Sequence, residues 1–100
     1  MEDIKILGEQ DGVLHVALSG DIDLGNAETF YNIVMENYNQ TDVQFDCENL
    51  NFIDSTTLGT FVKILKMVKS NGKTMKLCGL QSKIKKLFLI CSLDKIMEIA

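Results

Sequence analysis

The chain has 100 residues, of which 46% are hydrophobic and 24% charged, and its formal net charge at pH 7 is −4. This length suits a single domain over residues 1–100, and the apolar content is too high for a disordered chain. The acidic balance argues against nonspecific binding to nucleic acid or to an anionic membrane.

The first two predicted elements form an antiparallel hairpin. Ile4 to Leu7 is a short apolar strand, and a second strand runs from Val13 to Leu18. Asp11-Gly12 between them is a strong hairpin signal because both residues tolerate positive φ. The polar residues 19–23 then lead out of the second strand.

A first helix follows, with Asp23 or Asn26 as its predicted N-cap. Its apolar residues recur at helical spacing: Ala27, Phe30, Tyr31, Val34 and Tyr38. The next strand is predicted over Val43 to Cys47, and a polar connection over Glu48 to Asn51. Phe52-Ile53 then leads into a second helix.

The second helix is predicted to end near Lys69, because Ser70-Asn71-Gly72 is a stop signal. Its expected buried face consists of apolar residues at helical spacing: Leu58, Phe61, Val62, Leu65 and Val68.

The last three elements are a strand over Thr74 to Cys78, a third helix, and a short strand over Ile96 to Ile99. The inner face of the third helix is expected to carry Ile84, Leu87, Phe88 and Cys91. The order β-β-α-β-α-β-α-β predicts an α/β fold with a mixed, mostly parallel sheet. Three helices pack on this sheet through right-handed crossovers.

Polar side chains follow the second and third strands of this sheet. Asp21 and Asp23 come after one strand, and residues 54–57, Asp-Ser-Thr-Thr, come after the other. Strand-to-helix loops of a parallel sheet emerge at its carboxyl edge, where α/β proteins carry their sites. If the two strands are neighbours, these polar groups share one corner of the molecule.

Residues 54–57 also mark the start of the second helix, where backbone N–H groups are unpaired and the helix dipole is positive. Asp54 as the N-cap would accept N–H bonds from Thr56 or Thr57. Ser55 would then hold the first helical position with its hydroxyl outward. Such a place suits an anion, or a phosphate added to a hydroxyl.

Enzyme chemistry finds little support in the sequence. There is no Gly-x-Ser-x-Gly pattern, no P-loop and no Gly-x-Gly-x-x-Gly. His15 is the only histidine and has no second ligand beside it. Asp21 and Asp23 suggest a magnesium site only weakly, since no phosphate-binding feature accompanies them. We therefore expect no cofactor, no metal and no catalytic residue.

The lack of a leader pattern and of a membrane span predicts where the protein is located, and the number and spacing of the cysteines predict the state of their thiols. The N-terminal residues show no basic segment followed by an apolar run, and no apolar run is long enough to cross a bilayer. We therefore expect a cytoplasmic protein. Cys47, Cys78 and Cys91 are odd in number and widely spaced in apolar segments, which predicts buried free thiols.

Two blocks of the sequence resemble the STAS domains, and in particular the bacterial anti-sigma factor antagonists. The first, residues 18–28 (LSGDIDLGNAE), is similar to the family's pattern of an apolar residue, a small residue, Gly, an acid, an apolar residue, Asp and then Ala-Glu. The second, residues 46–59 (DCENLNFIDSTTLG), resembles Phe-Ile-Asp-Ser-Ser-Gly-Leu-Gly after its spacer. Residues 72–78 and 84–88 also fit, so the resemblance covers nearly the whole chain. A C-terminal helix that many members carry is expected to be absent.

The resemblance implies a phosphorylation switch. The family's phosphorylated serine follows the Asp, which places it at Ser55. The kinase is an anti-sigma factor that also sequesters a sigma factor, and a serine phosphatase reverses the modification. The unphosphorylated antagonist binds the kinase and frees the sigma factor. The resemblance implies no enzyme activity, and we expect a monomer when the protein is free.

The partner surface is expected to be the shared corner together with one residue a helical turn further on: Asp21, Asp23, Asn26, Asp54, Ser55, Thr56, Thr57 and Thr60. Ser55 is the first choice as phosphoacceptor because it is smaller than its neighbours and not β-branched, and Thr57 is the next. The family's Gly between Ser and Leu is Thr57 here, which changes the fit to a partner if close backbone approach is needed.

Two other functions remain open from the sequence. One is an unphosphorylated STAS interaction subunit of a stress-sensing or membrane transport complex. The other is a module that binds a small anion or a nucleotide at the same helix start. Neither the sigma factor, the kinase nor the signal can be named from the sequence.

Overall fold

The computed structural model describes residues 3–100. Met1 and Glu2, part of the N-terminal segment in which no leader is expected, lie outside the described residues. The elements follow in the order β1 (Ile4–Gln10), β2 (Val13–Ile22), α1 (Ala27–Asn37), β3 (Asp42–Ile53), α2 (Ser55–Ser70), β4 (Met75–Cys78), α3 (Ser82–Ile90), a 3₁₀ helix (Leu93–Lys95) and β5 (Glu98–Ile99). The predicted order of strands and helices is confirmed.

The five strands form one sheet in the order β1-β2-β3-β4-β5, in which β1 is antiparallel to β2 and all other pairs are parallel. Asp11 and Gly12 both have positive φ, +54° and +77°, as the predicted hairpin turn requires. Consecutive strands are neighbours, so right-handed crossovers bring α1, α2 and α3 to the same face of the sheet. The mixed, mostly parallel sheet is confirmed.

β3 is longer than predicted and includes the supposed polar connection over residues 48–51. Its register with β2 shifts twice, and each shift inserts an extra residue into β3. Leu50 and Ile53 consequently both point into the core although they are three positions apart, an odd spacing that would place them on opposite faces of a regular strand. The prediction of a connection was wrong because these bulges break the two-residue alternation by which a strand is recognised.

The buried face of α2 is rotated by about one residue from the predicted face. Phe61, Leu65 and Val68 are buried as predicted, whereas Leu58 and Val62 are half-buried. Their places in the core are taken by residues on the neighbouring stripe: Thr57, Thr60 and Ile64. A hydroxyl can enter this interior because it finds a carbonyl partner there, so hydrophobicity alone gave the wrong phase.

The third helix buries Ile84 and Phe88 as predicted, but Leu87 and Cys91 are exposed.

The prediction of three buried thiols is wrong for Cys91, which is exposed, and only partly right for Cys78, which is half-buried. Cys47 is fully buried in β3. Burial, with smaller effects of Asp46 and Cys78, raises the pKa of the Cys47 thiol to about 12, so this thiol is unreactive.

Four phenylalanines join all three helices to the sheet. Phe61 of α2 lies 5.2–5.4 Å, between ring centroids, from the rings of Phe30 in α1, Phe45 in β3 and Phe88 in α3. All four rings are fully buried and meet edge to face, a favourable geometry for aromatic pairs. This cluster fixes how α2, and therefore the residues at its start, sits over β3.

The rotated phase of α2 predicts unequal effects of two identical truncations. Leu65→Ala should lower the free energy of unfolding by about 2–5 kcal/mol, because Leu65 is 3% exposed and leaves a cavity. Leu58→Ala should cost less than half as much, because Leu58 is half-buried. Urea denaturation of the two variants measures the difference, and equal costs would show that the helix is rotated differently.

Candidate functional site

The carboxyl ends of β2 and β3 lie side by side at one corner of the sheet. Ile22 and Ile53, the last residues of the two strands, are direct partners in the parallel register. The β2–α1 loop and the first turn of α2 therefore emerge next to each other. The prediction that these two strands are neighbours, on which the shared corner depends, is confirmed.

Asp54 joins the two loops through its two carboxylate oxygens. Oδ1 accepts a hydrogen bond from the backbone N–H of Thr57 at 3.0 Å, so the predicted N-cap of α2 is confirmed. Oδ2 accepts a second bond from the backbone N–H of Leu24 at 2.9 Å, across 30 residues of sequence. One side chain thus caps α2 and ties the β2–α1 loop to it.

These hydrogen bonds keep the carboxylate of Asp54 charged. The backbone N–H of Thr57, followed by that of Leu24, lowers the pKa of Asp54 from the usual 3.8. Hydrogen bonds to the charged form stabilise it, and the positive end of the α2 dipole acts in the same direction. The corner therefore carries a fixed negative charge beside Ser55 at neutral pH.

The β2–α1 loop is also ordered by its own side chains. Asn26 Oδ1 accepts from Asp23 N at 2.8 Å, and Asn26 Nδ2 donates to the carbonyl of Asp21 at 2.9 Å. Asp23 Oδ1 accepts from Gly25 N at 2.9 Å. Asn26 holds the N-cap position of α1 but makes no side-chain bond to the helix. The predicted side-chain cap is therefore wrong, because both candidates bond within the loop.

The three adjacent hydroxyls at the start of α2 have different environments. Ser55 and Thr56 are exposed, whereas the side chain of Thr57 is completely buried. Thr57 Oγ1 donates to the carbonyl of Ile22 at the end of β2 and lies 3.1 Å from Asp54 Oδ1. The prediction that Thr57 lies on the surface patch is wrong, since its hydroxyl instead binds α2 to the sheet.

Thr60 sits one turn further along α2 and is 9% exposed. Its Oγ1 donates to the carbonyl of Thr56 at 3.0 Å, so little of the hydroxyl faces solvent. Asp21 is exposed and Asp23 is half-buried. The structure thus brings the predicted residues together at one corner, with Thr57 beneath the surface and Thr60 at its margin.

A groove of about 360 Å³ runs beside this corner between α1 and α2. It is lined by residues of both helices and of the preceding loop: Leu24, Ala27, Glu28, Tyr31, Asn32, Thr56, Thr60 and Lys63. The Nζ of Lys63 lies 4.2 Å above the centroid of the Tyr31 ring. Sequence reasoning missed Leu24 and Lys63, because a single loop leucine and a helical lysine carry no pattern of their own.

Residues 3–100 contain no group of three or more His, Cys, Asp or Glu side chains arranged to hold a metal ion. Within the same residues, no helix has both the length and the apolar character needed to cross a membrane.

Comparison with known proteins shows a family match over nearly the whole chain. The family model described as STAS domain matches residues 5–100. The anti-sigma-B factor antagonist of Bacillus subtilis (strain 168) is 30% identical over 93 residues, which cover 92% of this chain and 85% of the relative.

Solved structures agree with this placement. A crystal structure from Thermotoga maritima, described as a candidate anti-sigma factor antagonist, has a TM-score of 0.84 and 25% identity, covering 96% of this chain and 82% of that one. The phosphorylated form of the Bacillus cell fate determinant SpoIIAA has a TM-score of 0.75 and 17% identity, covering 97% of this chain and 90% of that one. At that lower identity the likeness is one of fold.

The buried Thr57 hydroxyl predicts a graded effect of substitution. Thr57→Val keeps the shape but leaves the Ile22 carbonyl without its donor, so it should destabilise the protein by about 1–3 kcal/mol. Thr57→Ser keeps the donor and should cost less. Urea denaturation compares the two variants, and a Val variant as stable as wild type would show that the hydroxyl is not needed.

The lowered pKa of Asp54 predicts a pH-dependent contribution to stability. Asp54→Asn can still accept from Thr57 N but offers no second carboxylate oxygen to Leu24 N. A depressed folded-state pKa contributes stability above the unfolded pKa, near 3.8, and that contribution is lost as the pH falls through the folded value. The variant should therefore melt below wild type at pH 7, and the gap should narrow as the pH falls below 3.8. A gap independent of pH would contradict the charged role.

Proposed function

The chain belongs to the STAS domain family, and we propose that it is an anti-sigma factor antagonist switched off by phosphorylation of Ser55. The observation that carries the proposal is the exposed Ser55 hydroxyl in the first position of α2. Its neighbour Asp54 is already engaged as the helix cap. The name of the Bacillus subtilis relative supports the role. SpoIIAA, which shares the fold, has a phosphorylated form and is the precedent for the switch.

Ser55 is the best phosphoacceptor among the three adjacent hydroxyls. From the sequence, Thr57 was the second choice as phosphoacceptor. Its hydroxyl is completely buried, however, and would have to leave the Ile22 carbonyl before a kinase could reach it. Thr56 is exposed and becomes the competitor. Ser55 is less hindered than Thr56 because it is not β-branched, and the resemblance to the family points to the same residue.

The effect of the phosphate on a partner is electrostatic. Phosphorylation adds about −1.5 to −2 charges at pH 7. This charge arrives beside Asp54 and near Asp21 and Asp23, none of which is ion-paired within the described part of the chain. A partner that fits the unmodified corner must then desolvate or oppose the added charge. Each 1.4 kcal/mol of that cost weakens binding about tenfold.

The fold itself should tolerate the phosphate. The Ser55 side chain is exposed, so modification desolvates no core group. The positive end of the α2 dipole favours a negative charge at this position by a few tenths to about 1 kcal/mol. Repulsion from Asp54 acts in the opposite direction. The switch therefore acts on the interface and leaves the hydrophobic core intact.

We propose two partners for this switch, an anti-sigma factor kinase and a phosphatase. In its unphosphorylated form the protein binds an anti-sigma factor that is also a serine kinase, and so releases a sigma factor. A serine phosphatase restores the unmodified form. The protein acts in the cytoplasm as a monomer when free, without a cofactor and without catalysing a reaction. The binding surface consists of the corner residues Asp21, Asp23, Asn26, Asp54, Ser55, Thr56 and Thr60.

A phosphorylation assay with the cognate kinase tests whether Ser55 is the phosphoacceptor. With kinase and ATP, Ser55→Ala should take up no phosphate and stay bound, while Ser55→Asp should bind poorly because it adds charge at the corner. Thr56→Ala is the matched variant and should still take up phosphate, because it keeps Ser55; any slower rate should come from weaker binding at this surface residue. Phosphate uptake by Ser55→Ala at the wild-type rate would move the site to Thr56. No uptake by the wild-type protein with any anti-sigma kinase of its genome would favour an unphosphorylated interaction subunit.

A charge reversal at Asp21 tests whether the corner is the surface that binds the kinase. Asp21→Lys should weaken binding to the kinase while leaving the circular-dichroism spectrum unchanged, because Asp21 is exposed and its side chain bonds to no described residue. Loss of the folded spectrum would instead show that Asp21 is needed for folding. Lys5→Glu on β1, also an exposed charge reversal, is the control and should leave binding unchanged.

A further inference from the structure

Leu24 is the most exposed large apolar side chain of the β2–α1 loop and the first turn of α2, with 75% of its surface exposed. It lies in the β2–α1 loop, borders the groove between α1 and α2, and is attached to the start of α2 through its own backbone. We propose that Leu24 is the apolar contact by which the kinase partner holds this protein. This inference rests on the proposed function, because it names a contact of the same interface.

The loop holds Leu24 in place before any partner arrives. Its N–H donates to Asp54 Oδ2 at 2.9 Å, and the next N–H, of Gly25, donates to Asp23 Oδ1 at 2.9 Å. Asn26 closes the loop through two further bonds to Asp23 and Asp21. Binding therefore spends little conformational entropy on ordering the backbone at Leu24, and a pre-organised contact raises affinity by lowering that cost.

The surroundings of Leu24 indicate the chemistry of the partner. The carboxylates of Asp23, Glu28 and Asp54 belong to the same loop and to the adjoining helix starts, and none is ion-paired within residues 3–100. Leu24 thus has three carboxylates on the neighbouring segments, and Lys63, which lies over the Tyr31 ring, is the single basic residue that lines the adjoining groove. The complement of Leu24 and these carboxylates is a protein surface with an apolar socket surrounded by lysine or arginine side chains.

A second copy of this chain fits the corner poorly. A two-fold contact through Leu24 would place the same patch against itself, so these carboxylates of two copies would face each other. The net charge of −4 adds to that repulsion. The charge pattern therefore favours a basic partner protein over self-association.

Leu24 should affect docking more than chemistry. Its side chain lies on the loop, whereas Ser55 lies on α2, and the bond that connects them runs through the backbone of Leu24 to Asp54. Truncating the side chain leaves that backbone bond intact. In the kinase reaction, Leu24→Ala should therefore raise the KM for this protein and leave kcat unchanged.

The test uses the purified anti-sigma kinase that phosphorylates the wild-type protein, with four forms of the full chain: wild type, Leu24→Ala, Leu24→Met and Leu7→Ala. Leu7 is the matched control, a 53% exposed leucine on β1, away from the corner. Leu24→Ala should raise both the Kd and the KM by about tenfold or more. Leu24→Met should bind the kinase almost as tightly as wild type. Leu7→Ala should match wild type.

Each other outcome overturns a distinct statement. If Leu24→Ala binds and is phosphorylated within about twofold of wild type, the Leu24 contact is wrong and the proposed function stands. A fall in kcat at constant KM would also overturn the docking role. Self-association of the wild type that Leu24→Ala abolishes, seen by sedimentation, would assign the surface to a second copy. If no anti-sigma kinase binds or phosphorylates the wild type, the proposed function fails and this inference fails with it.

Discussion

The carboxylate of Asp54 holds together the two segments from which the candidate site is built. One oxygen caps α2, and the other accepts the backbone N–H of Leu24 from the β2–α1 loop. Each segment alone is a short surface loop or a helix end, and such segments are mobile unless their backbone groups find partners. Because one side chain satisfies both, Ser55 and Leu24 keep a fixed relation to each other.

A second bond extends this arrangement to the sheet. The buried hydroxyl of Thr57 donates to the Ile22 carbonyl at the end of β2, so α2 is attached to the strand as well as to the loop. The residue that makes this bond stands where the resemblance to the family would place a glycine. Three consecutive hydroxyls therefore divide into two that face solvent and one that maintains the geometry, and only the exposed pair is open to modification.

Local chemistry predicted the fold and the corner at which the β2–α1 loop meets the start of α2, because both features depend on it. The Asp11-Gly12 turn, the alternation of strands and helices, and the Asp54 cap each follow from conformational or hydrogen-bonding preferences of a few residues. The length of β3, the phase of α2 and the exposure of Leu24 did not follow from the sequence. Each depends on pairing with a distant segment: bulges against β2, a carbonyl 35 residues away, and a carboxylate 30 residues away.

In the proposed switch, a phosphate on Ser55 breaks the interface and spares the fold. The most direct measurement compares unmodified and fully phosphorylated protein in two assays, the Kd for the anti-sigma kinase and the temperature of thermal unfolding. Phosphorylation should raise the Kd by at least about thirtyfold, while the Tm should move by no more than a few degrees. Equal affinities of the two forms would contradict the switch. A phosphorylated form that has unfolded would show that the phosphate acts on the fold and not on the interface.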